Sequence, residues 1–454
     1  MRTNGIRFIC IIIDVIIRGR TGIMNKLEGE IMVEDLIKFI DDSPTAFCAV
    51  SSIKKRLEEK GYEKLGNKRI EKGKKYYLVR NDSSIIAFNV GKRLKDPSLH
   101  ISASHTDSPL FKLKPQPLIK DENSIRFNIE TYGGMLLRPW FDRPLKIAGR
   151  VIINKDDKIS NVIFDGKEPL CMIPSMAPHL NRTREDGKIE VDKEMYPIIT
   201  LGEDFDLNVY LSEKLGCKAE DILGFDLYVV PCEKGYIWGK DNEFFTSNHI
   251  DNLECAYTTL MGFIDKFHDD NINIYCSFDN EEVGSRTRQG ADSDLLESIL
   301  CRLCNDLGLD KQRLIEQGMM LSCDNAHALH PNYVDLYDVN NAPIMNQGVV
   351  IKYNAAQSYT TDSLSGALLK TILKRNNIPW QVFANKTGTK GGGTLGNIST
   401  SHVSIMSADI GLGQWAMHSP IETAGCKDVE HMISLIKAFY ASHIEIDEEG
   451  NYRI

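Results

Sequence analysis

The sequence has no cationic excess. Its 454 residues carry 54 Lys+Arg against 63 Asp+Glu, a formal charge of −9, whereas a dedicated nucleic-acid surface needs the opposite balance. A disulfide framework is missing too. The 11 cysteines are odd in number and scattered. The one C-x-x-C, Cys301 to Cys304, lies in a helical stretch without a second pair, so neither a cystine scaffold nor a zinc ribbon is indicated. This usage suits a reducing cytoplasm. No apolar run approaches the roughly 20 residues that span a bilayer, and no membrane partner is expected. The apolar stretch 8–17 is interrupted by Asp14, followed by Arg18 and Arg20, and lacks a small-residue cleavage site, unlike a signal peptide. Residues 1–23 are therefore expected to be an extension outside the fold, or to precede a true start at Met24.

Several catalytic signatures are absent as well. The glycine-rich stretch 386–396 contains a formal G-x-G-x-x-G, but no βαβ unit of the right size surrounds it, and no Gly-Lys-Ser/Thr closes it. Its glycines are better read as letting the backbone approach a substrate closely. There is no Gly-x-Ser-x-Gly elbow, internal repeat or low-complexity tract.

What remains is a charged fraction of 26% with 42% hydrophobic residues, which excludes wholesale disorder and predicts a large core. At about 150 residues per domain the length allows about three domains, or one large domain with an insertion. A helical pattern over 34–60 is broken at Asp42-Ser43-Pro44. Strands are expected over 84–90 and 99–104. From 110 to about 240 short β-type runs (124–129, 145–153, 161–163, 226–231) alternate with turns. Beyond Asp251 helices (253–267, 294–307, 363–375, 428–443) alternate with apolar strands (272–278, 319–323, 380–384, 402–407). This pattern predicts an α/β domain with helices on both faces of a central sheet, interrupted by a β-rich insertion.

Metal-capable side chains gather where apolar strands end. His105 and Asp107 follow the first strand, Asp279, Glu281 and Glu282 the second, and Asp324 and His327 the third. His418 follows Trp415, and His249 and Asp251 immediately precede a helix. A lone carboxylate at a strand end ordinarily caps a helix or meets water, and a lone histidine is more often a satisfied core or surface group. His100, His268, His402, His431 and His443 take that reading. Joint occurrence is different, because open α/β sheets bind ligands beyond the carboxyl ends of their strands. Carboxylates converging there repel one another unless a cation sits among them. Few Lys or Arg occur in these segments, so a divalent metal is the natural counter-charge. Mixed imidazole and carboxylate donors suit zinc, with cobalt or manganese as substitutes. Glu281 and Glu282, pointing oppositely at a strand end, can divide into a ligand and a proton acceptor. Asp107 is placed to hydrogen-bond the far nitrogen of His105.

Together these residues resemble the aspartyl aminopeptidase/aminopeptidase I family of dinuclear zinc exopeptidases. The matching segments include Ser104-His-Thr-Asp-Ser-Pro109, Glu130-Thr-Tyr-Gly-Gly134, His179-Leu-Asn-Arg182, Asp251-Asn-Leu253, Asp279-Asn-Glu-Glu-Val-Gly-Ser285, Asp324-Asn-Ala-His-Ala328 and Met417-His-Ser419. The resemblance implies that His105, Asp251 and Asp324 hold one zinc, and that Asp251, Glu282 and His418 hold another. It implies Glu281 as general base, with His179 stabilising the oxyanion from a neighbouring subunit. Lys352, Gly392 and Gly393 would line the substrate site, Lys352 meeting an acidic side chain. Residues 24–108 and 240–454 would form the zinc-exopeptidase-type catalytic domain, and 109–239 a β-rich dimerisation domain and lid. The assembly would be a dodecamer built from dimers, acting on peptides. The glycine stretch is longer than the eukaryotic version associated with strict acidic preference, which keeps a broad neutral or hydrophobic specificity as an alternative. A related dinuclear deacylase or carboxypeptidase would share the metal logic.

Overall fold

The structure, a computed structural model, describes residues 29–180, 188–202, 204–265, 267–447 and 449–454. The expected extension lies outside them. A nine-stranded sheet organises the chain in the order Glu63–Lys64, Lys75–Arg80, Ser84–Val90, Asn271–Phe278, Ser98–His105, Gly318–Cys323, Met406–Gly411, Val349–Lys352, Trp380–Phe383. From Asn271–Phe278 to Met406–Gly411 the neighbours run parallel. Ser84–Val90 and Val349–Lys352 run against them on either side.

Every residue of Ser98–His105, Asn271–Phe278 and Gly318–Cys323 is buried, as strands covered on both faces require. Side-chain alternation divides the core in two. Ile85, Ala87, Tyr275, Leu321, Ile351 and Ile410 pack on one face against the helix 29–41 and helices Ala46–Glu59, Ile250–Phe263, Ser363–Arg375 and Cys426–Ala441. Ile86, Phe88, Ile101, Ala103, Cys276 and Met320 face the other way, toward helices Leu295–Leu307, Lys311–Glu316 and Leu395–His402. The expected α/β class with helices on both faces is the observed one.

A second sheet of six antiparallel strands lies between Leu110 and Pro231, in the order Lys158–Asp165, Leu145–Lys155, Ile222–Pro231, Leu110–Lys120, Ile125–Tyr132, Ile198–Thr200. It has its own core around Phe111, Phe127, Trp140, Val151 and Leu227. A third sheet, Tyr236–Trp238, Phe244–Ser247, Glu422–Gly425, Gly413–Trp415, Ala326–His327, carries the segments that flank Asp251 and His418. Among the described residues no helix is long and apolar enough to cross a membrane, and the described cysteines are free thiols.

One expected strand moves. The chain over 402–407 does not open as a strand. His402 ends the helix Leu395–His402, and the strand is Met406–Gly411. That helix is rich in Gly, Ser, Thr and β-branched residues, which favour helix weakly. Packing holds it, with Gly396 so close to the sheet that a Cβ would lie 2.8 Å from Ser322 Cβ.

His100 lies in the buried centre, edge-on to Phe439 at 4.8 Å between ring centroids and 3.4 Å from Ser442 Oγ. Burial, with His443 and His268 nearby, pushes its pKa down to about 3. The unfolded chain takes up a proton near pH 6.5 that folded His100 refuses, so its contribution is full above that pH and is lost as pH falls toward 3. Between pH 6.5 and 5 the stability difference between wild type and His100→Gln should therefore move by about 2 kcal/mol in the variant's favour. Denaturant unfolding at both pH values measures this, and a pH-independent difference would contradict a neutral His100.

Candidate active site

Neighbouring parallel strands deliver the first groups. His105 ends its strand directly beside Phe278 of the next. One extra backbone bond, Thr106 N to Phe278 O at 2.7 Å, holds the two together as they leave the sheet. The second strand then turns through Asn280, in the left-handed region at φ 63, into the short turn Glu281–Val283. The exposed amides at the start of this turn are capped by Asp107. Its Oδ1 accepts from Glu281 N at 3.1 Å and its Oδ2 from Glu282 N at 3.2 Å, while Tyr132 Oη donates to Oδ2 at 2.7 Å. The role expected of Asp107 shifts accordingly. The closer partner of His105 Nδ1 is the Asp107 main-chain carbonyl at 3.1 Å, with the carboxylate at 3.4 Å.

Asp324 follows the strand on the other side of Ser98–His105. Asp251 arrives from the third sheet, its amide bonded to Glu422 Oε2 at 2.9 Å and its carbonyl to Ser108 Oγ at 2.8 Å. His418 follows Gly413–Trp415 of the third sheet, not a central strand, and sits at φ 67. Its amide donates to Glu422 Oε1 at 2.7 Å, its carbonyl accepts from Leu136 N at 3.0 Å, and its Nδ1 donates to Gly134 O. Gly133 of the 130–134 motif is needed here. Gly133 has φ +73, and a Cβ on it would lie 3.1 Å from Glu282 Cβ.

These segments enclose a cavity of about 360 Å³ lined by His105, Asp251, Glu281, Glu282, Asp324, His327, Lys352, Gly392, Gly393 and His418. Asp251 Oδ1 lies 3.5 Å from His105 Nε2, and Oδ2 lies 3.6 Å from His418 Nε2. Glu282 Oε2 is 3.5 Å from His418 Nε2. Ligand atoms of His105, Asp251 and Glu282 all fall within 4.8 Å of one another. Asp251 Oδ1 and Glu282 Oε1 are buried without a hydrogen-bond donor, and both imidazoles spend Nδ1 on main-chain carbonyls, so Nε2 faces the hollow. Lone pairs with no protons to meet fit a divalent cation.

The electrostatics agree. Burial pushes the Glu281 carboxyl up to about 8, against the pull of His105 and with Asp324, Asp107 and Asp251 adding to it. Burial and Asp251 raise Glu282 well above the carboxylate range. Against its burial, Asp107 and Asp251 hold the His105 imidazole well above its ordinary value. Buried acids this close together hold protons unless a cation sits among them.

Other expected residues divide. Gly392 and Gly393 line the cavity, yet a Cβ on either would meet no protein atom within 4 Å, so any demand for glycine comes from the cavity side. Lys352 is buried and spends two of its three donors on Asp324 O at 2.8 Å and Asn325 O at 3.2 Å. His179 lies exposed in the turn Pro178–Leu180 and does not line this chain's cavity. Asn181 and Arg182 of its motif lie outside the described residues. Glu422 escaped the sequence reading. An acid inside a short Ser-Pro-Ile-Glu-Thr stretch carries no spacing signal, and only its burial would have marked it.

A central sheet with a carboxylate–imidazole hollow past its strand ends, closed by an inserted sheet, defines a metal-dependent hydrolase of the α/β exopeptidase class. Residues 39–440 match the family described as Aminopeptidase I zinc metalloprotease (M18). The chain is 40% identical over 427 residues to a probable M18 family aminopeptidase 2 of Clostridium novyi, covering 89% of this chain and 98% of that one. Among solved structures it is similar to the M18 aminopeptidase of Thermotoga maritima (TM-score 0.81, 25% identity, 92% and 97% of the two chains). It is likewise similar to the mApe1 dodecamer of S. cerevisiae (0.80, 25%, 91% and 97%). The chain belongs to the M18 family of zinc aminopeptidases.

If a cation satisfies this hollow, zinc should raise the melting temperature of chelator-treated wild type, by an amount equivalent to about 2.7 kcal/mol at a hundredfold excess over Kd. Asp251→Ala should lose most of that shift. Equal shifts in both proteins, read by calorimetry, would place the binding elsewhere.

Proposed function

We propose that the chain removes N-terminal residues from peptides using two zinc ions held astride Asp251, with Glu281 moving the proton. The observation that carries the reading is the orientation of Asp251, one oxygen toward each of two imidazoles. His105, Asp251 and Asp324 would hold one ion, and Asp251, Glu282 and His418 the other. Zinc there supplies Lewis acidity for the scissile carbonyl and lowers the pKa of a nucleophilic water. Cobalt or manganese can substitute by donor type.

Glu281 takes a proton from the attacking water and delivers it to the leaving amine. Asp107, capping the amides of Glu281 and Glu282, keeps that acceptor and its neighbouring ligand in fixed relation. His179 donates to the developing oxyanion from a neighbouring subunit, a role its exposed position in the inserted sheet's region supports. The part 109–239 serves as dimerisation domain and lid, in a dodecamer built from dimers that admits peptides. A cytoplasmic site suits the free thiols.

Lys352 favours Asp or Glu at the peptide N-terminus, since it is a cation lining the cavity. The bonds that already occupy it favour a second reading, a neutral or hydrophobic preference. A panel of Asp, Glu, Leu and Lys aminoacyl substrates separates them. Acidic preference predicts kcat/KM for Asp or Glu at least about tenfold above Leu, the scale of one hydrogen bond to a charged group, with Lys slowest; Leu cleaved best would establish the second reading.

Glu281→Gln should retain about two zinc ions per chain while kcat falls by about 10²–10⁴-fold. Elemental analysis and steady-state kinetics on the same preparation decide it. Near-wild-type turnover would remove Glu281 as the base.

A further inference from the structure

Beneath the hollow lies a carboxylate that none of these roles uses. Glu422 opens the strand Glu422–Gly425 and is 1% exposed. Its Oε2 accepts from Asp251 N at 2.9 Å and its Oε1 from His418 N at 2.7 Å, with Gln414 Nε2 at 3.4 Å from Oε1. Asp251 and His418 are far apart in sequence, and this one side chain accepts from the main-chain amides of both. Burying an acid beside the acidic Asp251 costs stability, but without it two backbone amides would be left unpaired. A carboxylate does offer what an amide cannot, two acceptor oxygens for two converging N–H donors.

The backbones it holds need holding. His418 is a non-glycine residue at φ 67, with Ala416 at φ 57 just before it, and such conformations persist only where surroundings enforce them. A chain of side-chain hydrogen bonds lies behind Glu422. Asn325 Nδ2 donates to Gln414 Oε1 at 2.6 Å and to Glu254 Oε2 at 2.7 Å, which turns the Gln414 amide nitrogen toward Glu422. Asn325 directly follows Asp324, so the same set of bonds reaches a third residue of the hollow.

We propose that Glu422 is a positioning residue for the metal pair. By fixing the main chains of Asp251 and His418 together, it sets the span between the two cation positions. The inference rests on the two-ion reading above.

Glu422→Gln keeps length and shape but turns an NH₂ toward one of the two amides. In the assembled full-length protein, chelator competition should show two zinc ions in wild type, with the second bound about 10–100-fold more weakly in the variant. The visible absorption bands of the cobalt-loaded variant should shift, since ligand geometry sets them. Unchanged affinity for both ions with an unchanged cobalt spectrum would overturn the proposal. A wild type holding a single zinc would instead remove the two-ion reading, and the proposal with it. Should the variant not fold, hydrogen exchange on wild type decides. The Asp251 and His418 amides should stay protected after chelation, and free exchange there would show that Glu422 does not pre-set the site.

Discussion

Asp251 turns one carboxylate oxygen to His105 and the other to His418, at 3.5 and 3.6 Å, in a hollow that Glu281, Glu282 and Asp324 also line. Acids drawn this close, out of water, repel one another and lose hydration. Lys352, the buried ammonium of the cavity, is bonded to the carbonyls of Asp324 and Asn325 and does not replace a cation between the ligands. The arrangement is thus held by the surrounding fold, and a bound cation relieves it. Parallel strands fix His105, Glu281, Glu282 and Asp324 by register, and the third sheet brings in Asp251 and His418.

The inserted sheet takes part in that enforcement. The chain leaving the strand Ile125–Tyr132 sends the Tyr132 hydroxyl to Asp107, lays Gly133 against Glu282, and gives the Gly134 carbonyl to His418. Leu136 N closes onto the His418 carbonyl. The hydroxyl also accepts from Asn280 Nδ2 at 2.8 Å, and Asn280 in turn accepts from Thr287 Oγ1 and Gln289 Nε2. Deleting the insertion would therefore strip partners from Asp107 and His418 as well as remove surface. Site and insertion form one hydrogen-bonded unit.

Much of this was legible in the amino-acid order. The buried strands 272–278 and 319–323 and the helix 363–375 stand out as apolar runs or helical periodicity, and the structure has them within a residue or so. Glu281, Glu282 and Asp324 were visible because they follow those strands directly. What was not legible depends on contacts distant in sequence. The strand Val349–Lys352 has only four residues and reads as a fragment. The helix Leu395–His402 is made by packing on Ser322 rather than by propensity. Position, not residue type, made the difference for Asp107 and Glu422. The main-chain carbonyl of Asp107, not its carboxylate, is the nearer partner of His105, and no side-chain pattern encodes that. Glu422 matters only because the third sheet puts it under two amides at once.

The most direct test of the cation-centred account is diffraction from zinc-loaded crystals on both sides of the zinc absorption edge. Two anomalous peaks should lie on either side of the Asp251 carboxylate, about 3.5–4 Å apart, one nearer His105 and the other nearer His418. No peak in the hollow, or one remote from Asp251, would contradict it.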